Sequence, residues 1–245
     1  MIIFADFDGT TYPHDNDLAV QENLAAIKNW RAAGNQFCIT TGRSIRSLTR
    51  QLPEVLELCD YFIMDSGSII LDRAGNTLKV FSFDPEIVTA VTDYSKTLPE
   101  LPAVVYYTDT SEGVEMKTSG VTKLRYWFKD ISLLTPTAKE LRNRFPVLAF
   151  EMIAPAPAGE WEGRNGFIEI IPNELGKSNA IKHLQKLINI PLQDIITVGD
   201  GLNDYDMIRD FNGYAIESSD LANYDQTMKT APSVAEMINQ ILKND

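Results

Sequence analysis

The chain opens Met1-Ile2-Ile3-Phe4-Ala5-Asp6-Phe7-Asp8-Gly9-Thr10-Thr11, an apolar strand that breaks off into two carboxylates and a glycine. A short run such as Ile2 to Ala5, with no polar alternation, suits a strand buried on both faces. Parallel sheets of that kind present reactive groups in the turns beyond their strands. Asp6 and Asp8 raise each other's pKa, so the pair persists only with a cation between them or one proton retained. With Asp6 ionised on a metal and Asp8 giving and taking a proton, such a pair can make and break an aspartyl phosphate.

Acidic pairs in turns are usually solvated or cap helices, and it is the other segments that give this one weight. Ile195-Ile196-Thr197-Val198-Gly199-Asp200-Gly201-Leu202-Asn203-Asp204 is a second apolar strand running into a second acidic turn. Phe37-Cys38-Ile39-Thr40-Thr41-Gly42-Arg43-Ser44 ends in hydroxyls, a glycine and an arginine, and Leu175-Gly176-Lys177-Ser178 sets a lysine at a helix start. Nucleophile, acid/base, phosphate-binding hydroxyl, neutralising lysine and metal-binding acids together make a phosphoryl-transfer set.

In this order, Asp6-Phe7-Asp8-Gly9-Thr10, Thr41-Gly42-Arg43, Lys177 and Gly199-Asp200-Gly201-Leu202-Asn203-Asp204 resemble the four motifs of the haloacid dehalogenase superfamily of phosphohydrolases. The long insert between the second and third motifs, and Phe167-Ile168-Glu169-Ile170-Ile171-Pro172 before Lys177, resemble the Cof-type branch, which carries a type IIB α/β cap there. The resemblance spans almost the whole chain. It implies a Mg²⁺-dependent phosphatase with a Rossmann-like core, acting on a small phosphorylated metabolite such as a sugar phosphate or a nucleotide-like monoester. Two places depart from the Cof pattern. Ser66-Gly67-Ser68 stands where Asn-Gly-Ala is common, and Ser218-Ser219-Asp220 where Asn-Ala usually follows a strand. Neither touches a catalytic motif.

The resemblance also assigns roles. Asp6, with a free pKa of roughly 3.9, attacks phosphorus without needing a base, and Asp8 protonates the leaving alcohol and then takes a proton from water. Mg²⁺ is the simplest hard cation for an oxygen-only site, held by Asp6, the Asp8 carbonyl and Asp200. Asp204 holds a metal-bound water or orients Lys177, or is merely an aspartate at a helix N-terminus. Thr41 and the Gly42 amide bind the transferring phosphoryl oxygens, with Thr40 as the competing hydroxyl on the opposite strand face. Lys177 neutralises charge, Arg43 binds phosphate or pairs on the surface, and Asn203 caps a helix while contacting phosphate. A phosphomutase would use the same groups, and a non-catalytic phospho-ligand-binding regulator is a second alternative. A phospho-accepting receiver fits the large insert poorly.

Along the chain, strands and helices alternate as in a parallel sheet with helices on both faces. Asp17 reads as the cap of a helix with Val20, Leu24, Ile27 and Trp30 at helical spacing, and Ser44 as the cap of the next. Strands are expected at 36–40 and 61–64, and a hairpin leaving the core at 68–81. Asp84-Pro85 starts the cap, read as helix 85–97, strands near 104–108 and 114–117, helix 136–145 and a strand near 147–153. Residues 154–159 read as a rigid connector, and 167–171 as the strand on which the core resumes. The expected division is a core of 1–82 and 165–245 with an inserted α+β cap of 83–164. The aromatic residues Tyr106, Tyr107, Tyr126, Trp127, Phe128 and Trp161 read mainly as cap core, with one or two rings lining the substrate cleft. The last helix begins with the capping box Ser233-Val234-Ala235-Glu236.

Composition narrows the partners. A formal charge of −12 disfavours nucleic acid, and no apolar run approaches the roughly 20 residues of a membrane helix. With no signal-like start, the expected compartment is the cytoplasm. Cys38 and Cys59 lack metal-ligand spacing and read as reduced core thiols, and His14 and His183 as loop or surface residues. Nothing in the sequence sets an oligomeric state.

Overall fold

The computed structural model describes residues 1–109, 111–154, 163–172, 176–211 and 213–244. The connector expected at 154–159 lies outside these beyond Ala154, as do Trp161 and Leu175. In chain order the elements begin with β1 (Ile2–Ala5), α1 (Asp17–Ala32), β2 (Gln36–Thr40), α2 (Ile45–Gln51), α3 (Val55–Leu58), β3 (Tyr61–Met64), β4 (Ile69–Asp72) and β5 (Thr77–Val80). Next come α4 (Pro85–Ser95), β6 (Ala103–Thr108), β7 (Glu112–Gly113), β8 (Val121–Phe128), α5 (Leu134–Arg144), β9 (Leu148–Ile153) and β10 (Gly166–Pro172). The chain ends with α6 (Lys177–Ile188), β11 (Ile195–Gly199), α7 (Tyr205–Asp210), β12 (Tyr214–Ile216), α8 (Asp220–Tyr224), β13 (Lys229–Ala231) and α9 (Val234–Asn244).

Two compact units result, Met1–Lys79 with Gly176–Asp245, and Val80–Leu175. The first is built on an eight-stranded sheet in the order β13-β12-β11-β1-β2-β3-β4-β5. Its strands from β13 to β3 are parallel, and β4 turns back antiparallel to β3. The hairpin at 68–81 therefore widens this sheet rather than leaving it. Alternation along the central strands divides the core. Ile3, Ala5, Phe37, Ile39, Ile196 and Val198 pack with Leu24, Ile27 and Trp30 of α1 and Met237 and Ile238 of α9. Thr197 points the other way, and its hydroxyl donates to the Met207 carbonyl of α7 at 3.0 Å, so helices cover both faces. Asn16, one residue before the expected Asp17, caps α1 by accepting from the Ala19 N–H at 3.1 Å. Ser44 and Asp84 cap α2 and α4 as read, and the Ser233 hydroxyl accepts from the Glu236 N–H at 3.1 Å.

The second unit is an antiparallel five-stranded sheet in the order β7-β6-β8-β10-β9. One face, carrying Tyr106, Leu124, Tyr126, Phe128, Ile168 and Ile170, packs on α4 and α5. Tyr107, Trp127 and Phe167 lie on the other face. Residues 167–171 are the main departure from the sequence expectation. They form β10, paired with β8 and β9, so the first unit resumes at Gly176 and not at 165. The strand is buried along most of its length, and a continuous apolar run reads alike in either kind of sheet. The strand expected at 114–117 is absent. Only Glu112–Gly113 just before it pairs with β6, as β7, and β8, whose Lys123 and Arg125 interrupt the apolar pattern, was not expected. The short α8 and β13 were not anticipated.

Candidate active site

Asp6 leaves β1 beside β11, where Ala5 lies opposite Val198 and the Asp6 N–H donates to the Val198 carbonyl at 2.9 Å. From β1 the chain proceeds to β2 on one side of the sheet and later reaches β11 on the other. The crevice beyond such a switch is where open α/β sheets bind ligands. The turn after Asp6 is held from several directions. The Thr11 hydroxyl donates to the Asp6 carbonyl at 2.7 Å, and the Tyr12 N–H to the Phe7 carbonyl at 2.8 Å. Asn23 of α1 donates to the carbonyls of Thr10 (3.2 Å) and Thr11 (3.1 Å) and accepts from the Ala235 N–H of α9 at 2.9 Å. Gly9 has φ +76°, and a Cβ there would sit 2.2 Å from Asp200 Oδ2. Glycine is thus required both by the backbone and by the close approach of the second acidic turn.

In that second turn Asp204 is fully buried. Its Oδ2 accepts from the Asp200 N–H (3.1 Å) and the Gly201 N–H (3.0 Å), and its Oδ1 accepts from Lys177 Nζ at 2.6 Å. A Cβ on Gly199 would fall 2.4 Å from Asp204 Cγ, so only glycine lets this carboxylate tuck under the strand end. Lys177 opens α6 and also donates to Asp6 Oδ1 at 2.6 Å. Asp200 Oδ1 accepts from the Thr10 hydroxyl at 2.6 Å.

The electrostatics follow from crowding acids in a buried place. One oxygen from each of Asp6, Asp200 and Asp204 lies within 4.8 Å of the other two. Burial pushes the Asp6 carboxyl well above the usual range; the Lys177 charge pulls it down, and Asp204 and Asp200 push it further up. Asp200 is raised by burial and by the Asp204 charge, against its bond from Thr10. Burial alone would lower Lys177, yet the carboxylates of Asp204 and Asp6 raise it above its ordinary value. Three acids around one ammonium carry an excess of negative charge and offer only oxygen donors, which suits a hard divalent cation.

Asp8 stands apart from this cluster. Arg43 grips its carboxylate with both arms, Nε to Oδ2 at 2.7 Å and Nη2 to Oδ1 at 2.6 Å, and His14 Nε2 is 3.6 Å from Oδ1. Thr41 follows β2 and is buried; its N–H donates to the Ile63 carbonyl at 2.9 Å and its hydroxyl accepts from the Arg43 N–H at 3.1 Å. Gly42 lies between them in the same turn. Asn203 is exposed, and the side chain that closes its turn is Asp204, so the capping expected of Asn203 is not observed. The roles of Asn23, of His14 against Asp8 and of Thr10 against Asp200 do not show in the sequence pattern. The nearest signal for the last is the Thr10-Thr11 pair directly after Asp8-Gly9. Cys38 and Cys59 are both buried and unbridged. No helix among the described residues is long and apolar enough to cross a membrane.

Residues 3–234 match the family described as haloacid dehalogenase-like hydrolase. A protein of Mycoplasma capricolum subsp. capricolum is 26% identical over 234 residues, covering 85% of this chain and 87% of its own. The 5-amino-6-(5-phospho-D-ribitylamino)uracil phosphatase YbjI of Escherichia coli K12 is 21% identical over 266 residues, covering 100% and 97%. Among solved structures, the HAD subclass IIB sugar phosphatase BT4131 superposes with a TM-score of 0.76 at 15% identity, covering 98% of each chain.

Proposed function

Because the chain belongs to the haloacid dehalogenase-like hydrolases and is a phosphatase of that type, we propose that it cleaves a small phosphate monoester through an aspartyl phosphate on Asp6. The observation that carries this reading is the buried Asp6 carboxylate, held on Lys177 at the switch point of a parallel sheet and crowded by two further acids. Asp6 attacks phosphorus. Lys177 draws it back towards the ionised form against burial and the neighbouring acids, and offsets the charge that builds on the phosphoryl oxygens. Asp8 gives its proton to the departing alcohol and recovers one from the water that opens the acyl phosphate. Thr41 and the Gly42 amide receive the phosphoryl oxygens at the end of β2.

Mg²⁺ is the cation these donors suit, held by Asp6, Asp200 and the Asp8 carbonyl; when bound it supplies charge to draw phosphate and nucleophile together. Asp204 has both oxygens engaged by Lys177 and two N–H groups, so its role is to orient Lys177 and shape the turn. A phosphorylated sugar or polyol, or a nucleotide-like monoester, is the substrate class. The sugar phosphatase and the ribitylaminouracil phosphatase among the relatives support it.

Phosphate release from sugar phosphates, nucleotides and p-nitrophenyl phosphate, with Mg²⁺ and with chelator, tests the reading. Metal-dependent release is expected, and Asp6→Asn should abolish it while the protein stays folded. Turnover retained in Asp6→Asn would remove Asp6 as nucleophile.

A further inference from the structure

Asp8 differs from Asp6 and Asp200 in what holds it. Its backbone is fixed, since the Gly9 N–H donates to the Tyr12 carbonyl at 3.0 Å and Tyr12 returns a bond to Phe7. Its carboxylate is 36% exposed, with His14 Nε2 3.6 Å from Oδ1. Arg43 sets its plane through two parallel bonds. Arg43 is itself seated. Its Nη1 donates to the Ser47 hydroxyl at 3.2 Å, and the Ser47 N–H donates to the hydroxyl of Ser44, the α2 cap, at 3.3 Å. Its guanidinium carbon lies 5.4 Å from the centroid of the Phe7 ring, which stacks on Tyr12. The fork is thus mounted on the first turn of α2 and on the residue preceding Asp8. A planar fork fixes the plane of a carboxylate, whereas a lysine at the same place supplies charge without direction.

We propose that Arg43 is a positioning residue for Asp8, presenting its carboxyl to the ester oxygen that departs; this rests on the phosphatase reading. In that step an Asp6 oxygen bonds to phosphorus and the phosphorus–ester oxygen bond breaks. The bonding pair stays on the alcohol oxygen, which takes the proton of the Asp8 carboxyl. When Asp8 carries its proton, the carboxyl oxygen without it can still accept from Arg43. This role differs from binding phosphate, which would affect every ester alike.

The experiment compares wild type, Asp8→Asn, Arg43→Gln, Arg43→Lys and the Asp8→Asn/Arg43→Gln double variant on glycerol phosphate and p-nitrophenyl phosphate with Mg²⁺. Nitrophenolate leaves without needing a proton, so Asp8→Asn should discriminate strongly between the two. Arg43→Gln is expected to lose about tenfold more kcat on glycerol phosphate than on the aryl ester, with Arg43→Lys shifting in the same direction. The double variant should discriminate no more than Asp8→Asn alone, because the two residues act as one unit. Ser47→Ala, which loosens only the mount, should give the same shift at smaller size and keeps the test alive if an Arg43 variant misfolds. Equal losses on both esters, or a rise of KM on both with kcat unchanged, would overturn the inference and leave the phosphatase reading standing. A wild type that turns over neither ester would overturn both.

Discussion

Each unit of the molecule buries a lysine, and the two lysines keep different company. Lys177 opens α6 and lies between the carboxylates of Asp6 and Asp204, with Asp200 close by. Backbone N–H groups and the Thr10 hydroxyl brace those acids. Lys123 is in the middle of β8, its Nζ 3.2 Å from Glu169 on β10, and Arg125 reaches the same carboxylate with its Nε at 3.2 Å. Aromatic faces flank these cations, with Tyr107 4.3 Å from the Lys123 ammonium and Phe167 4.0 Å from the Arg125 guanidinium. In the first case acids outnumber the cation and are braced by polar groups, an arrangement that could hold an added positive charge. In the second, two cations converge on one acid between rings, which ties neighbouring strands together. A buried lysine marks chemistry only through the balance of charge around it.

That contrast can be broken or sharpened by three measurements. Lys177→Met should lower kcat by about 10²–10³-fold, the scale of losing a preorganised donor to developing charge. Steady-state rates within tenfold of wild type would make Lys177 as structural as Lys123. Glu169→Gln should cost about 3 kcal/mol in urea unfolding, since it takes the carboxylate charge from buried Lys123 and partly buried Arg125. A loss under half that size would mean the rings alone carry the second cluster. Mg²⁺ at a hundred times its Kd should stabilise the wild type by about 2.7 kcal/mol, seen as a rise in Tm. The rise should persist in Glu169→Gln and disappear in Asp200→Asn; a rise surviving Asp200→Asn would place the cation elsewhere. The smallest effect lies outside both clusters. Ser66 has φ 57° and ψ 29°, a left-handed conformation that asparagine tolerates better than serine. Ser66→Asn should therefore gain about 0.5–1 kcal/mol in the same unfolding assay, and a loss would mean the serine hydroxyl matters more than the backbone.

Asp6, Asp8, Thr41, Lys177 and Asp200 were legible as candidates because each stands just after a short apolar strand or at a helix start. That grammar is local, and it is written in neighbouring residues. Arg43 was legible as a cation but not as the partner of Asp8, which lies 35 positions away. Likewise Thr10 and Asp200 are joined across 190 positions, and Asn23 and Ala235 across 212.

The same division runs through the fold. By itself the sequence determined that strands and helices alternate, which turns carry acids, and where α2, α4 and α9 are capped, since propensity, periodicity and capping act within a few residues. Only the tertiary structure decided that β10 joins the second sheet, that the hairpin of β4 and β5 widens the first, and that Lys123 and Arg125 belong inside a strand. An apolar run says that it will be buried but not against which partner. That choice is settled by long-range hydrogen bonding and packing, and by the burial that only a finished sheet can supply.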